Sequence, residues 1–250
     1  MKKTTLLSMA ILLLFCSCER KSTLSEGKVE DLSLIGANIQ MTQSLTNHKN
    51  KSVQVEANLY DKDGYAIDND SIKIKVNGVD LILRKIPGMG LNDYEYISYE
   101  KIPYSNDYTF EIILTNGASH FLGTIHSIEE SNENDIVCDE KGDLNKDCII
   151  TWKNLKEINK LEINKNVKLN KPDSTNCIYI TGLDEIIKKI DSKGKYIIPK
   201  AEYIKPESTI NLIGFDFKAE KSGKTNHKLL EGSEIKISGQ IEKIISFEKP

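Results

Sequence analysis

The 250-residue sequence has one tryptophan, four histidines, six prolines and five cysteines. It has no basic stripe and no long apolar run. Each shortage closes a class of function. Zinc needs three or four well-placed ligands, and no spacing of Cys and His completes such a set. Nucleic-acid binders carry clustered basic charge, whereas this chain has a formal net charge of −3 with both signs well mixed. No glycine-rich phosphate loop, nucleophile elbow or Cys–His pair is present. A non-catalytic protein without a cofactor is therefore expected. The longest apolar run, residues 6–15, is well short of the roughly twenty residues that span a bilayer as a helix.

What is present at the N-terminus has the order of a secretory signal: Lys2 and Lys3, the apolar run, then small residues and cysteine. In "LLLFCSCERK" the small Ser17 precedes Cys18, whereas the bulky Phe15 precedes Cys16. The segment resembles a bacterial lipoprotein signal, which is cut just before a cysteine that carries diacylglycerol. That resemblance implies a cleaved segment over residues 1–17, acylation of Cys18 and membrane attachment through the lipid; Cys16 leaves with the signal. Several acyl chains suit the role, because one alone holds only marginally. The Lys-, Ile- and Asn-rich usage looks like lipoproteins of the Bacteroidetes, which implies an outer-membrane address. "ERKSTLSEGK" leaves the surface and periplasmic faces both open. Losing residues 1–17 removes Lys2 and Lys3 and moves the net charge from −3 to −5.

Residues 18–32 are polar and are expected to form a tether after the lipidated cysteine. Beyond them, "SVQVEANLY", "SIKIKVNG", "YTFEIIL" and "HFLGTI" alternate with period two. Asn77-Gly78 and Asn116-Gly117 can supply the positive-φ residues of two-residue hairpins. Such short strands argue for a β-sandwich over residues 33–128. The acidic stretch "EESNENDIVCDEKGDLNKD" is placed at the boundary, and the strands that follow assign a second sandwich to 129–250. One helix is expected in "GLDEIIKKIDSKG", where Leu183, Ile186, Ile187 and Ile190 have helical spacing and Gly194 follows the end. The expected fold is mainly β: two sandwiches with at most one short helix. "LYDKDGYAIDNDSIKIKVNG", "IITWKNLKEINKLEI" and "GKYIIPKAEY" resemble tandem immunoglobulin-like lipoproteins of the Bacteroidetes. That resemblance implies a binding or adhesion module with a glycan or protein partner. The alternatives are a periplasm-facing structural accessory of an outer-membrane complex and a carbohydrate-binding lipoprotein.

Candidate sites follow from residue type and spacing. Tyr94, Tyr96, Tyr99, Tyr104 and Tyr108 offer broad faces with polar tips, suited to sugar rings or a protein partner, or to cover of a half-buried sheet. Asp143, Asn145 and Asp147 occupy positions 1, 3 and 5 of a calcium-type loop. Cys148 stands there in place of the turn glycine and Asn154 in place of the closing acid, so an Asx turn leading into a strand is preferred. Asp61, Asp63, Asp68 and Asp70 form a second acidic cluster. Cys138 and Cys148 flank a short polar loop and are the expected disulfide of an exported chain, leaving Cys177 as a buried hydrophobe. His120 and His126 share a face if their strand is regular. Trp152 is expected in the second core. Asp70-Ser71 and Asp173-Ser174 look similar to Bacteroidetes O-glycosylation sites. For the anchor, Cys18→Ser is expected to abolish the lipid mass and move the chain from the membrane to the soluble fraction, as read by mass spectrometry and fractionation.

Overall fold

The computed structural model describes residues 22–46, 52–87, 92–98, 102–171 and 179–247. Cys16, Cys18 and the signal segment lie outside the described residues, as do Tyr99, Cys177 and the 173–174 pair. No described helix is long and apolar enough to cross a membrane.

The fold is mainly β. The first half contributes β1 (Gly36–Ser44), β2 (Ser52–Tyr60), β3 (Lys73–Val76), β4 (Val79–Pro87), β5 (Asn92–Ile97), β6 (Ile102–Pro103), β7 (Asp107–Ile113) and β8 (Ser119–His126). The second contributes β9 (Ile136–Val137), β10 (Cys148–Trp152), β11 (Lys160–Leu169), β12 (Tyr179–Lys189), β13 (Gly194–Ile198), β14 (Ile204–Lys205), β15 (Ser208–Ser222), β16 (Lys224–Thr225) and β17 (Glu234–Ser246). One long ladder runs β12-β11-β15-β17-β1-β2-β5-β4-β3-β7-β8-β16, and β13-β10-β9 form a separate small sheet. The ladder turns back on itself, so that β8 and β16 lie against β17 in a sandwich-like closure. Among the described residues, helical structure consists of four three-residue 3₁₀ turns.

The alternation in the sequence maps onto this core. Ile39 and Met41 of β1 lie beside Ile235 and Ile237 of β17 and Ala57 and Val55 of β2, all buried. Asn77-Gly78 closes β3 to β4 as a two-residue turn with both residues at positive φ (47° and 82°), the conformation that matches strand twist. Asn116-Gly117 behaves differently. Only Gly117 is left-handed, and Leu114 N–H bonds Ala118 O across a three-residue loop.

The two halves are joined as well as consecutive. β17 pairs in parallel with β1 over seven residues, from Asn38↔Glu234 to Ser44↔Gln240. Period-two patterning reveals which face a residue occupies, not which strand it pairs with, so this join is invisible to it. Gly239 sits opposite Gln43 in that pair. A Cβ at Gly239 would stand 2.6 Å from the Gln43 carbonyl oxygen and 2.5 Å from Leu45 Cδ2. Beside it, the buried Gln43 amide donates to Ile128 O (2.7 Å) and accepts from Ile128 N (3.0 Å). That side chain supplies both hydrogen bonds a strand neighbour would otherwise give.

Three expectations are corrected. The tether is packed from Ser22 onward: Val29 and Leu32 are buried, Thr115 bonds both backbone groups of Val29, and Asn69 holds Leu24 O and Gly27 O. Polarity alone misjudged a segment that inserts two apolar anchors. The helix at "GLDEIIKK" is instead strand β12, antiparallel to β11. There Ile186 and Ile190 pack against the core while Ile187 turns outward, and the exposed ladder of β11 outweighs a marginal helical pattern. Gly194 lies under the Trp152 ring rather than capping a helix. Finally, His120 and His126 do not share a face. A bulge in β8 shifts the register between Phe110 and Glu111, and inserting one residue reverses the alternation.

Because the Gly239 contact is with backbone, Gly239→Ala is expected to cost about 1–3 kcal/mol, as overpacking does. Urea unfolding followed by Trp152 fluorescence and by far-UV circular dichroism is expected to give one shared midpoint, shifted down in the variant.

Candidate functional site

The acidic segment after β8 lines a cleft of about 710 Å³ at the seam. From the first half, Thr46 and the half-buried Tyr104 face residues 129–135, with Asn154 and Lys156 opposite. The floor is built from backbone. Ser131 N–H donates to Leu45 O (3.0 Å), and Ser131 Oγ accepts from Lys156 N (2.8 Å). Asn132 accepts from Asn134 N (3.0 Å) and so caps the short turn Glu133–Asp135, whose Asp135 carbonyl takes Lys153 N–H (3.1 Å). Tyr104 Oη lies 3.3 Å from Ser127 Oγ.

Charge at the rim is organised. Four carboxylates, of Glu129, Glu130, Glu133 and Asp135, line the cleft with a single lysine, Lys156, which pairs with Glu129 at 3.4 Å. Glu157 reaches across: its carboxylate accepts from Glu129 N (2.6 Å) and pairs with Lys221 (2.6 Å), while Lys221 also donates to Ser127 O (2.7 Å). Burial works against ionisation of Glu157, yet Lys221 and the Glu129 N–H hold its carboxyl below the usual range. Asn154 and Glu157 both have positive φ, 53° and 57°. Non-glycine residues in this region are uncommon and store strain.

The predicted tyrosines divide. Tyr104 is on the cleft. Tyr96 and Tyr108 are core residues at 1% and 0% exposure. The Tyr96 hydroxyl donates to Asn69 O (3.3 Å), and burial, with Asp68 and Asp70 nearby, pushes its pKa up. Tyr108 accepts from Ser105 N (3.1 Å). Tyr94 belongs to β5, opposite Lys85. A continuous tyrosine platform is therefore not formed by Tyr96 and Tyr108, because β5 and β7 turn those positions inward.

The two acidic motifs serve backbone. Asp143 Oδ1 accepts from Asn145 N (2.9 Å), the Asx turn expected of that spacing, and Oδ2 lies 3.4 Å from Lys146 Nζ. Asp147 turns away to accept Lys200 N–H (2.9 Å), supplying the cap that Pro199 cannot give to the turn Lys200–Glu202. Asp61 is buried and accepts from Asp63 N and Tyr65 N (2.9 and 3.0 Å) around Gly64. Among the described residues, no group of three or more His, Cys, Asp or Glu side chains is placed to hold a metal ion. Trp152 is buried edge-on to Phe217 (5.4 Å) and donates to Asp191 O.

Cys138 and Cys148 are both free thiols, which corrects the expected disulfide. The β9–β10 register pairs Val137 with Thr151 and Ile136 with Trp152. β9 ends at Val137, and Cys138 follows it in irregular backbone. His126 pairs with Asp107 on an open strand face, with both side chains exposed.

Sequence reasoning found Tyr104 but missed Gln43, Asn154 and Glu157. Asn154 carries a faint signal, as Asn is tolerant of the left-handed region; Glu157 carries none, and neither does Gln43, whose partner Ile128 is distant in sequence.

No family model matches the chain. No curated protein matches it. Among solved structures, it is similar to the mixed-linkage glucan utilization locus protein SGBP-B of Bacteroides ovatus, in complex with a mixed-linkage heptasaccharide. Identity is 11% over 86% of this chain and 61% of that chain, with a TM-score of 0.17. This chain thus spans less than two thirds of that neighbour's length.

Burial, with Cys138 and Asp139 nearby, pushes the Cys148 thiol up to about 11 from 9.0. The folded state therefore disfavours the thiolate. Its contribution is fully present below about pH 9 and is lost as pH rises through about 11, a loss on the order of 2 kcal/mol. Cys148→Val is expected to flatten the fall of Tm over that interval relative to the unsubstituted chain, measured by thermal unfolding at stepped pH.

Proposed function

We propose that this chain is a lipid-anchored cell-envelope protein, held through Cys18, that binds a glycan without catalysis at the seam cleft. The observation that carries the reading is the half-buried Tyr104 beside a cleft lined with amides, hydroxyls and carboxylates. Sugar hydroxyls donate and accept at once, and planar amide and carboxylate groups take them in pairs. A tyrosine ring adds an apolar face with a polar tip. At about 710 Å³ the cleft has the size of a small-ligand site. The backbone anchoring of Ser131 and Asn132 supports a preformed floor, which lowers the entropy lost on binding. Burial of Tyr96 and Tyr108 favours a second reading, a periplasm-facing accessory whose tyrosines stabilise the sheet.

Binding is tested with neutral oligosaccharides by titration calorimetry and with polysaccharides by affinity electrophoresis. Tyr104→Ala and Asn134→Ala are each expected to weaken binding roughly tenfold, as loss of one stacking or hydrogen-bonding partner does, with far-UV circular dichroism unchanged. Unaltered affinity in both variants, or no affinity for any glycan in the unsubstituted chain, overturns the reading.

A further inference from the structure

β12 is the terminal strand of the long ladder, so one side of its backbone faces no strand among the described residues. The hydrogen-bond phase identifies the residues on that side. Ile190 N–H donates to Asn159 O (2.9 Å). Bonded and non-bonded pairs alternate in an antiparallel ladder. Lys188 and Ile186, opposite Leu161 and Ile163, therefore bond to β11, and Lys189 and Ile187 direct N–H and C=O to the open edge. Their side chains also lie on the solvent face. Ile187 is 57% exposed, and Glu185 and Lys189 are exposed on either side of it.

The neighbouring charges are already engaged. Lys188 lies over the Tyr196 ring at 4.7 Å. Glu162, which faces Ile187 within the sheet, is paired with Lys160 and Lys218. The edge thus presents an isoleucine with an acid two residues before it and a base two residues after.

We propose that two copies of this chain pair edge to edge through antiparallel β12 strands, with the two-fold axis at Ile187. An axis normal to the sheet keeps every residue on its own face. In the register centred on Ile187, Ile187 meets Ile187 of the second copy, and Glu185 meets Lys189 twice. On that solvent face, centring on Glu185 or on Lys189 brings like charges together, and centring on Ile186 or Lys188 sets Glu185 or Lys189 against Ile187; on the other face of the Ile187-centred register, Lys188, already over the Tyr196 ring, lies across from Ile186. Opposite charges directly across strands stabilise a pair and like charges destabilise it. The charge pattern of the solvent face is therefore self-complementary in one register, which fits a second copy as the occupant. The register shift between Ile163 and Lys165 bounds the segment on one side, so the contact is short. A contact this short gains from the local concentration that shared anchorage provides.

The test is disulfide trapping of the full chain on intact cells, read on non-reducing gels against the unsubstituted chain oxidised in parallel. Ile187→Cys is expected to give a cross-linked dimer, because opposite residues of a bonded pair have Cα atoms about 5.5 Å apart, within disulfide reach. Ile204→Cys, at 61% exposure, serves as the control for random collision. Adding Glu185→Lys is expected to reduce the dimer roughly tenfold, since both cross-strand pairs become repulsive. Adding Lys189→Glu as well is expected to restore it. A yield from Ile187→Cys no higher than from Ile204→Cys overturns the proposal, as does failure of the double exchange to restore the dimer in a chain with unchanged circular dichroism.

Discussion

The structure depends on the parallel pairing of β1 with β17. β1 is the point where the ladder of the second half meets that of the first, and its inner residues are buried among partners from both. Two devices make the pairing possible. Gly239 lets the backbones and Leu45 approach without a Cβ between them, and the Gln43 amide completes Ile128 where the chain leaves the first half. A buried amide that satisfies both backbone groups of one residue avoids the desolvation penalty either group would incur alone. The seam cleft exists because the chain, once held at Ile128, is carried over β1's end by Ser131 and Leu45.

Much of the fold was legible in the sequence, and the reasons are local. Alternating Ile and Val positions in β1, β2, β15 and β17 follow the pleat, and Asn77-Gly78 meets the conformational demand of a tight hairpin. What failed was non-local. Ile186 and Ile187 fit a helix or a strand equally by spacing, and the available edge of β11 decided the outcome. Val29 and Leu32 sit in a polar stretch whose burial depends on Thr115 and Asn69, more than forty residues away. The bulge that separates His120 from His126 leaves no mark in an alternating pattern. At the candidate site, Tyr104 was found by its type. Its neighbours Asn154 and Glu157 were not, because backbone conformation rather than composition sets them apart.

Four aspartates share one role across the chain. Asp31, Asp61, Asp143 and Asp147 each accept backbone N–H groups, at the start of a turn or across a loop. Short carboxylates are suited to this because they reach a nearby N–H without losing much side-chain freedom. Spacing that resembles metal ligation can therefore arise from successive turns. The distinction lies in whether the oxygens converge on one point or each finds its own amide.

The same pairing of β1 with β17 sets an order of events during synthesis. The contact between Ala37 and Ser233 spans 196 residues of chain. Until β17 emerges, β1 has an open edge and Ile39 and Met41 lack one set of neighbours. Contacts of such long range are slow to form, and unpaired edges invite association with other chains. A nascent chain paused short of Glu234 would be a substrate for holding chaperones, and its early strands would stay labile to proteases until the final segment docks.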